Sequence, residues 1–172
     1  MTDRESIIEI TSPHGDLRLR PECDADREFR YALFCDSRLP EWEPVRHQPA
    51  LFQQLMQHQF HAQTVSYLNF FPKARFDIIE LGAAPIGRIV VDRPGTMVHI
   101  VDQAIVPQQR NRGIGTAIMR SLMEEARAAG LPVRLQVADN NDPSMRLYAR
   151  LGFVPIQDMP AYIEMEWAAT KA

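Results

Sequence analysis

The sequence has few cysteines, no long hydrophobic run and no excess of positive charge. Its 172 residues include two cysteines, Cys23 and Cys35, which are too few for a disulfide framework or a cysteine-based zinc site. No apolar stretch approaches the roughly 18 residues that a membrane span needs. The first ten residues, MTDRESIIEI, lack the apolar core of a signal peptide. We therefore expect a cytoplasmic protein with free thiols and no membrane partner.

The overall charge and composition also narrow the choice of function. The formal net charge is −3 and the isoelectric point is about 5.9, whereas a nucleic-acid-binding protein usually carries a basic excess. His58 and His61 are not accompanied by a further Cys/His cluster, so we expect no metal site. Hydrophobic residues at 45% and charged residues at 24% are ordinary for a globular chain. The length predicts a single domain over residues 1–172, with residues 1–16 as an N-terminal extension.

Hydrophobic periodicity predicts helices and strands in an irregular order. We expect helices over residues 22–38, 49–66, 113–129 and 143–151. Residues 39–44 contain two prolines and predict a loop. We expect strands at Leu17–Arg20, Arg75–Leu81, Ile86–Val91, Met97–Val106, Val133–Val137, Phe153–Ile156 and Tyr162–Trp167. This mixture, which is not a regular βαβα alternation, favours an α+β or mixed α/β fold with a sheet flanked by helices.

One loop between a predicted strand and a predicted helix breaks local rules in an informative way. No acidic residue occurs between Asp102 and Glu124, yet this stretch contains Arg110, Arg112 and Arg120. Cations at a helix N-terminus are disfavoured by the helix dipole, so a broken rule here suggests a function. Gly113 and Gly115 allow close approach of a ligand to the unpaired N–H groups of the first turn. The loop therefore predicts an anion site, most plausibly for a phosphate or pyrophosphate.

Two other phosphate-binding loops do not fit, and a structural explanation stays open. A P-loop needs Lys-Ser/Thr after its last glycine, but Thr116-Ala117 follows Gly115. A dinucleotide fingerprint needs a third glycine where Ile118 stands. The structural explanation is a helix entry that glycine relaxes, with arginines that are merely solvated.

Two segments together resemble a known family. Arg110-Asn111-Arg112-Gly113-Ile114-Gly115 resembles the acyl-CoA pyrophosphate loop of the GNAT N-acetyltransferases. Asn141 and the stretch 142–153, which contains Leu147-Tyr148 and Leu151-Gly152-Phe153, is similar to the family's second signature. Ser144 stands where the family more often has alanine. The two motifs occur in the expected order, with a helix and a strand between them.

The resemblance implies a fold and a cosubstrate. The fold would be a GNAT-like mixed, mostly antiparallel sheet whose two central strands splay apart to admit acetyl-CoA. Backbone groups of Ile105 and Val106 would pair with the pantetheine arm, and Asn141 and Tyr148 would lie near it. The N–H groups of the loop would hold the pyrophosphate, and the loop residues concerned would be Arg110, Asn111, Arg112, Gly113, Ile114, Gly115 and Thr116.

The resemblance also implies catalytic roles. Tyr148 occupies the family's acid position and would protonate the leaving thiolate. The amine must lose a proton, and His99 is one candidate base because strand alternation puts residues 99, 101, 103 and 105 on one face if no bulge intervenes. Asp102 is a rival base if a bulge shifts the register, and ordered water is a third. Cys23 and Cys35 lie in or beside the first helix, so we expect direct transfer in a ternary complex.

The predicted function is transfer of an acetyl group from acetyl-CoA to a primary amine. The acceptor, a small molecule or a peptide, and the size of the acyl group stay open. Glu41, Trp42 and Glu43 lie where the family places its acceptor wall, and their acidity would suit a cationic amine, although a charged surface loop is the more common explanation. A homodimer through the sheet edge or the last strands is common in the family. The alternatives are a non-catalytic acyl-CoA-binding regulatory module and an interaction domain with a vestigial site.

Overall fold

A computed structural model describes residues 6–42 and 47–169 of the chain. The eight strands are β1 (Ile8–Ser12), β2 (Gly15–Pro21), β3 (Arg75–Leu81), β4 (Ala84–Asp92), β5 (Val98–Ile105), β6 (Val133–Ala138), β7 (Val154–Met159) and β8 (Tyr162–Trp167). The four α-helices are α1 (Arg27–Trp42), α2 (Pro49–Phe70), α3 (Ile114–Ala129) and α4 (Asp142–Arg150). Short 3₁₀ turns at Asp24–Asp26 and Pro107–Gln109 precede α1 and the loop before α3.

The strands form one sheet in the order β1-β2-β3-β4-β5-β6-β8-β7. Every neighbouring pair is antiparallel except β5 and β6, which are parallel. The mixed, mostly antiparallel sheet that the sequence predicts is therefore confirmed. The parallel pair is possible because α3 forms the crossover between its two strands.

The helices cover the two faces of the sheet in different ways. The main core lies between one face and α3, whose buried residues Ile118, Met119 and Leu122 follow a helical period. On the opposite face α1 packs against α2 and against β4 and β5. The residues buried outside the main core cluster include Leu33 and Phe34 of α1, Met56 of α2, Ile78 of β3 and Val90 of β4. We call these the α3 side and the α1/α2 side.

Two sequence-based boundaries are wrong. Part of the expected N-terminal extension belongs to the sheet, because Ile8–Ser12 pairs along its whole length with β2 and brings Ile10 into the core. The alternation of Ile8, Glu9 and Ile10 is too short to predict a strand without its partner. The loop predicted at residues 39–44 is helical as far as Trp42, and residues 43–46 lie outside the described part. Here the packing of α1 on α2 and on the sheet outweighs the helix-breaking effect of Pro40.

Candidate active site

A cleft opens where the two central strands separate. β5 and β6 pair only from Val98 to Ile100, opposite Val133 to Leu135, although β5 continues to Ile105 and β6 to Ala138. The predicted splayed central strands are therefore present. The cleft is lined by Ile100, Val101, Asp102 and Gln103 from β5, by Leu135, Gln136, Val137 and Ala138 from β6, and by Asn141, Ser144 and Tyr148 from α4 and its N-cap.

A β-bulge at Val101 decides which side of the sheet each residue of β5 faces. Val90 lies opposite Asp102, but its neighbour Val91 lies opposite Ile100, so Val101 is the extra residue. After the bulge, Gln103 and Ile105 face the α3 side, where their side chains approach Gly115. Asp102 faces the α1/α2 side with Arg88. The condition for residues 99, 101, 103 and 105 to share one face is therefore not met, and the alternative in which a bulge shifts Asp102 applies.

His99 lies in the part of β5 that is still paired with β6. It stands opposite Arg134 in the register, and its ring contacts Phe71 at 5.4 Å between centroids. Burial lowers the pKa of His99 below its ordinary value, an effect that Asp92 and Glu164 oppose. His99 is on the α1/α2 side, one step before the cleft opens, and is not among the residues that line it. Its role as the base stays a prediction.

Asp102 lies at the point where the strands part. Its carboxylate oxygen Oδ2 is 3.6 Å from Nη1 of Arg88, and 27% of its side chain is exposed. Burial raises the pKa of Asp102, while Arg88, Arg38 and the backbone N–H of Gln103 act in the opposite direction. A carboxylate with a raised pKa in a cleft is a candidate proton acceptor.

Tyr148 reaches the same cleft from α4. Its ring packs against Phe153 at 5.8 Å between centroids. Burial, with a smaller contribution from the negative charge of Asp102, raises the pKa of Tyr148 to about 12. The phenol therefore stays protonated at neutral pH and can donate a proton. The structure places the sequence-predicted acid and the rival base Asp102 in one cleft.

The glycine-arginine loop leads into α3 through two residues with left-handed backbone. Asn111 has φ of 58° and Gly113, the N-cap of α3, has φ of 75°. Arg110 donates from Nε to the carbonyl oxygen of Ile105 at 2.8 Å, and Arg112 donates from Nη1 to Oε1 of Gln109 at 2.8 Å. Both arginines are exposed. Exposed guanidinium groups beside the free N–H groups of a helix start form a suitable surface for a pyrophosphate.

The predicted cofactor contacts Ile105, Val106 and Asn141 differ in the hydrogen bonds that they already make. The N–H of Val106 donates to the carbonyl of Ile86 at 2.9 Å, and the carbonyl of Val106 accepts from Gln109 at 2.9 Å. The contact of Val106 with the pantetheine arm stays a prediction, and it would use the second lone pair of this carbonyl, because the N–H is already bonded. Ile105 differs from Val106. Because backbone groups alternate in direction along an antiparallel strand, the N–H and C=O of Ile105 point away from β4. Asn141 lines the cleft, and its side chain also caps α4 by accepting from the N–H of Ser144 at 3.3 Å.

Sequence reasoning missed several polar residues around the cleft. Arg88 is buried at 6% exposure, and Nε2 of Gln103 is buried without a hydrogen-bond partner among the described residues. A signal for Arg88 existed, because an arginine within the apolar run Ile86–Val91 must find a buried partner. The predicted acceptor wall at Glu41, Trp42 and Glu43 lies outside the side chains that the structure describes.

Residues 6–42 and 47–169 lack two kinds of feature. No helix there is both long enough and apolar enough to cross a membrane. The same ranges contain no group of three or more His, Cys, Asp or Glu residues placed to hold a metal ion.

Known proteins resemble this chain in sequence and in fold. An N-alpha-acetyltransferase from Sulfurisphaera tokodaii is 33% identical over 66 residues, which cover 37% of this chain and 40% of that protein. The PaiA N-acetyltransferase from Thermoplasma acidophilum, solved in complex with coenzyme A, superposes with a TM-score of 0.67 at 14% identity, over 88% of this chain and 98% of that one. Ard1 from Thermoplasma volcanium gives a TM-score of 0.60 at 20% identity, over 90% and 99%.

The match to a family covers both sequence motifs and the cleft between them. The sequence model of the acetyltransferase (GNAT) family matches residues 31–153. This range begins in α1, includes the splayed strands β5 and β6 and ends just after α4. The chain belongs to the acetyltransferase (GNAT) family.

Proposed function

We propose that this protein transfers an acetyl group from acetyl-CoA to a primary amine by direct attack in a ternary complex. The observation that carries the proposal is the cleft itself, in which a carboxylate, Asp102, and a protonated phenol, Tyr148, line one opening between the splayed strands. An anion-binding loop stands at the start of α3. The three parts supply what amine acylation by a thioester needs: a proton acceptor, a proton donor and a cosubstrate anchor.

The donor would be held by the loop and by the edge of β5. The exposed arginines and the first N–H groups of α3 would bind the pyrophosphate, the contact assigned to residues 110–116. The cleft-facing backbone of Ile105 would pair with the pantetheine arm, for which Arg110 would have to release the carbonyl that it now binds. Asn141, at the opposite wall, would lie beside the same arm.

The reaction then requires two proton transfers. The amine, with an ordinary pKa near ~10, first loses one proton to water and enters as the free base. Its nitrogen then attacks the thioester carbonyl carbon and gives a second proton to the acceptor in the cleft as the C–N bond forms. A cleft-facing N–H of β5 near Ile105 would stabilise the oxyanion of the tetrahedral intermediate. When the intermediate collapses, the C–S bond breaks and the sulfur takes the electron pair. Tyr148 donates its proton to that thiolate.

We assign the proton acceptor to Asp102 rather than to the sequence-predicted His99. Asp102 lines the cleft, whereas His99 lies in the paired part of β5 against Phe71. The two residues face the same side of the sheet, so the choice depends on distance from the opening. If Asp102→Asn leaves the pH profile of kcat/KM intact and His99→Ala abolishes its acidic limb, the assignment reverts to His99. If neither variant changes the profile, ordered water is the acceptor.

The acceptor amine is best sought with a broad panel. An assay of thiol release from acetyl-CoA should include peptides with free N-termini, because the Sulfurisphaera relative is an N-alpha-acetyltransferase. Polyamines, amino acids and aminoglycosides complete the panel. Turnover with any amine supports the proposal. Tight coenzyme A binding without turnover on the whole panel would instead favour a regulatory module that binds acyl-CoA.

Replacement of Tyr148 by phenylalanine tests the acid. We expect kcat to fall about 10²- to 10³-fold, since a positioned general acid contributes at this level. The Kd for coenzyme A by calorimetry should stay close to that of the unmodified protein. Tyr31→Phe is the matched control, because Tyr31 lies on α1, donates to the carbonyl oxygen of Gln53 at 3.5 Å and is not among the residues that line the cleft. An unchanged kcat in Tyr148→Phe would remove the acid role.

A further inference from the structure

A chain of ion pairs runs under α1 and α2 towards the cleft. Nη1 of Arg30 lies 3.3 Å from Glu22, Nε of Arg88 lies 2.8 Å from the same carboxylate, and Nη1 of Arg88 lies 3.6 Å from Asp102. Arg30, Glu22 and Arg88 have side chains that are at most 16% exposed. These charges are removed from water and lie in alternating order, so a change at one of them is felt by the next.

The planar guanidinium group of Arg88 is held by ion-pair contacts along its edges and by aromatic rings near its face. Its Nε and Nη2 donate to the two oxygens of Glu22 at 2.8 and 3.3 Å, which makes a bidentate pair. The guanidinium carbon lies 5.5 Å from the ring centroid of Phe76 and 5.9 Å from that of Tyr67. A planar group held in this way has little freedom to turn. Its remaining edge, Nη1, is directed at Asp102.

The distance from Arg88 to Asp102 is longer than that of a hydrogen-bonded ion pair in this protein, Arg20 with Asp26. Arg20 donates to both oxygens of Asp26 at 2.8 and 2.7 Å, and this contact holds the pKa of Asp26 at about 2. A carboxylate so bound is a poor base, because its oxygens are occupied and its proton is lost too easily. At 3.6 Å Arg88 attracts the charge of Asp102 without a hydrogen bond.

We propose that Arg88, clamped by Glu22 and by the rings of Tyr67 and Phe76, is a positioning residue that holds the Asp102 carboxylate in the cleft by charge alone, ready to accept a proton from the amine. This inference rests on the proposed acetyl transfer and adds to it the residues that act through Asp102. Glu22 is part of the same arrangement. It fixes the orientation of Arg88, and its negative charge offsets part of the attraction between Arg88 and Asp102.

The environment of Asp102 predicts the direction of each effect. Burial raises its pKa, Arg88 and Arg38 lower it, and Glu22 raises it. Asp102 in turn raises the pKa of two phenols near it. Among the described residues, the charged and titratable groups that interact electrostatically with it are Arg88 of β4, Glu22 before α1, Arg38 of α1, Tyr67 of α2 and Tyr148 of α4. Loss of Arg88 should therefore raise the pKa of Asp102, and loss of the charge on Glu22 should lower it.

The experiment is a titration of the Asp102 carboxyl carbon by ¹³C NMR in the full chain, with Asp102→Asn to assign the resonance. In Arg88→Gln the titration should move to higher pH, and in Glu22→Gln it should move to lower pH. The acidic limb of kcat/KM should move with it, and kcat/KM at pH 7 should fall about 10- to 100-fold in Arg88→Gln, where the carboxylate is no longer held. Glu22 keeps Arg30 as a partner in that variant, which helps the fold to persist.

Arg93→Gln is the matched control, because Arg93 makes a similar bidentate contact with Glu125 away from the cleft. It should leave both the titration and the pH profile unchanged. Shifts of Arg88→Gln and Glu22→Gln in the same direction, or no shift in either, would overturn the positioning role even if the enzyme is active. Opposite shifts in a chain that acetylates no amine would instead overturn the proposed function and leave the coupling of Arg88 to Asp102 in place.

Discussion

At the scale of single residues, Asp102 and Gln103 are polar neighbours on β5 with opposite surroundings. Asp102 faces the α1/α2 side and has Arg88 near it, whereas Gln103 faces the α3 side beside Gly115. Nε2 of Gln103 is buried and makes no hydrogen bond within the described residues. An unpaired buried amide costs folding free energy that an apolar side chain would not.

Gln103→Leu should therefore stabilise the protein. We expect the free energy of unfolding to rise by about 1 kcal/mol, because the unpaired amide is removed and a side chain of similar size replaces it. Urea denaturation measures the change. Gln157→Leu, the same substitution at an exposed position of β7, should be close to neutral. A clear loss of stability in Gln103→Leu would show that the amide has a partner when the protein is in solution.

Some site residues could be predicted from sequence and others could not. The positions of Tyr148 and Asn141 in the cleft follow from the second motif, since both lie on or at the start of a short helix that directly follows β6. The bulge at Val101 brings Asp102 to the side of the sheet that His99 faces, and so makes it a candidate base. That bulge is a property of the pairing of β5 with β4, so no pattern within β5 alone reveals it.

At the scale of elements, the entry into α3 depends on backbone conformation at one of its two glycines. Gly113 has φ of 75° and is the N-cap, a conformation that costs roughly 1 kcal/mol for a residue with a Cβ atom. Gly115 has no such requirement, and a Cβ there would meet its nearest neighbours at 3.7 Å, an ordinary contact distance. Gly113 is therefore needed for its backbone conformation, whereas the conformation of Gly115 does not require a glycine.

We expect Gly113→Ala and Gly115→Ala to have opposite effects on stability. Gly113→Ala should lower the free energy of unfolding by about 1 kcal/mol and weaken coenzyme A binding, because the loop must change its path. Gly115→Ala should be neutral or stabilise by up to about 0.5 kcal/mol, since alanine favours the helical turn. Thermal unfolding with and without coenzyme A gives both quantities. Equal losses of stability in the two variants would refute this distinction.

The elements that the sequence predicts well are those whose signal is local. β8 has the predicted bounds Tyr162–Trp167, and α3 begins and ends within one residue of its expected limits. α3 combines a strong apolar period with a terminal glycine, Gly130, whose φ is 67°. β1 was missed because its stability comes from pairing with β2, and the end of α1 was missed because tertiary packing carries the helix past Pro40.

At the scale of the whole molecule, charge is buried mainly on the α1/α2 side. The four buried charged residues that the described structure contains are Asp26, Asp77, Glu80 and Arg88. Arg20 joins two of them, since it binds Asp26 and also donates to Glu80 at 2.7 Å. Strand β2, strand β3 and the turn before α1 are thereby connected through one guanidinium group.

This connection predicts how stability depends on pH. The pKa of Asp26 is lowered from 3.8 to about 2, chiefly by the hydrogen bonds from Arg20. A lowered folded-state pKa gives stability that is present above the unfolded value and is lost as the pH falls towards 2. Asp26→Asn should thus cost about 1–2 kcal/mol at pH 7, and the cost should shrink between about pH 4 and pH 2.

Urea denaturation across that pH range measures how the free energy of unfolding differs between Asp26→Asn and the unmodified protein. Asp24→Asn is the control, because Asp24 lies in the same 3₁₀ turn but is exposed. A cost in Asp26→Asn that does not change with pH would assign the effect to packing rather than to charge.

The expected homodimer stays a prediction. The outer strand β7 has one edge without a neighbour in the described sheet, and Val154 and Ile156 on it are 57% and 43% exposed. Exposed apolar side chains at a sheet edge are consistent with association but do not identify a partner.

The bulge at Val101 has a consequence for sequence comparison. It divides β5 into two segments of opposite phase, so that Ile100 and Gln103, three positions apart, share a side of the sheet. In a relative that lacks the extra residue, an ungapped alignment would place Asp102 beside a side chain that faces the α3 side and Gln103 beside one that faces the α1/α2 side. A one-position gap at Val101 restores the correspondence, and residue roles along β5 should be transferred between relatives only after the phase of each strand is known.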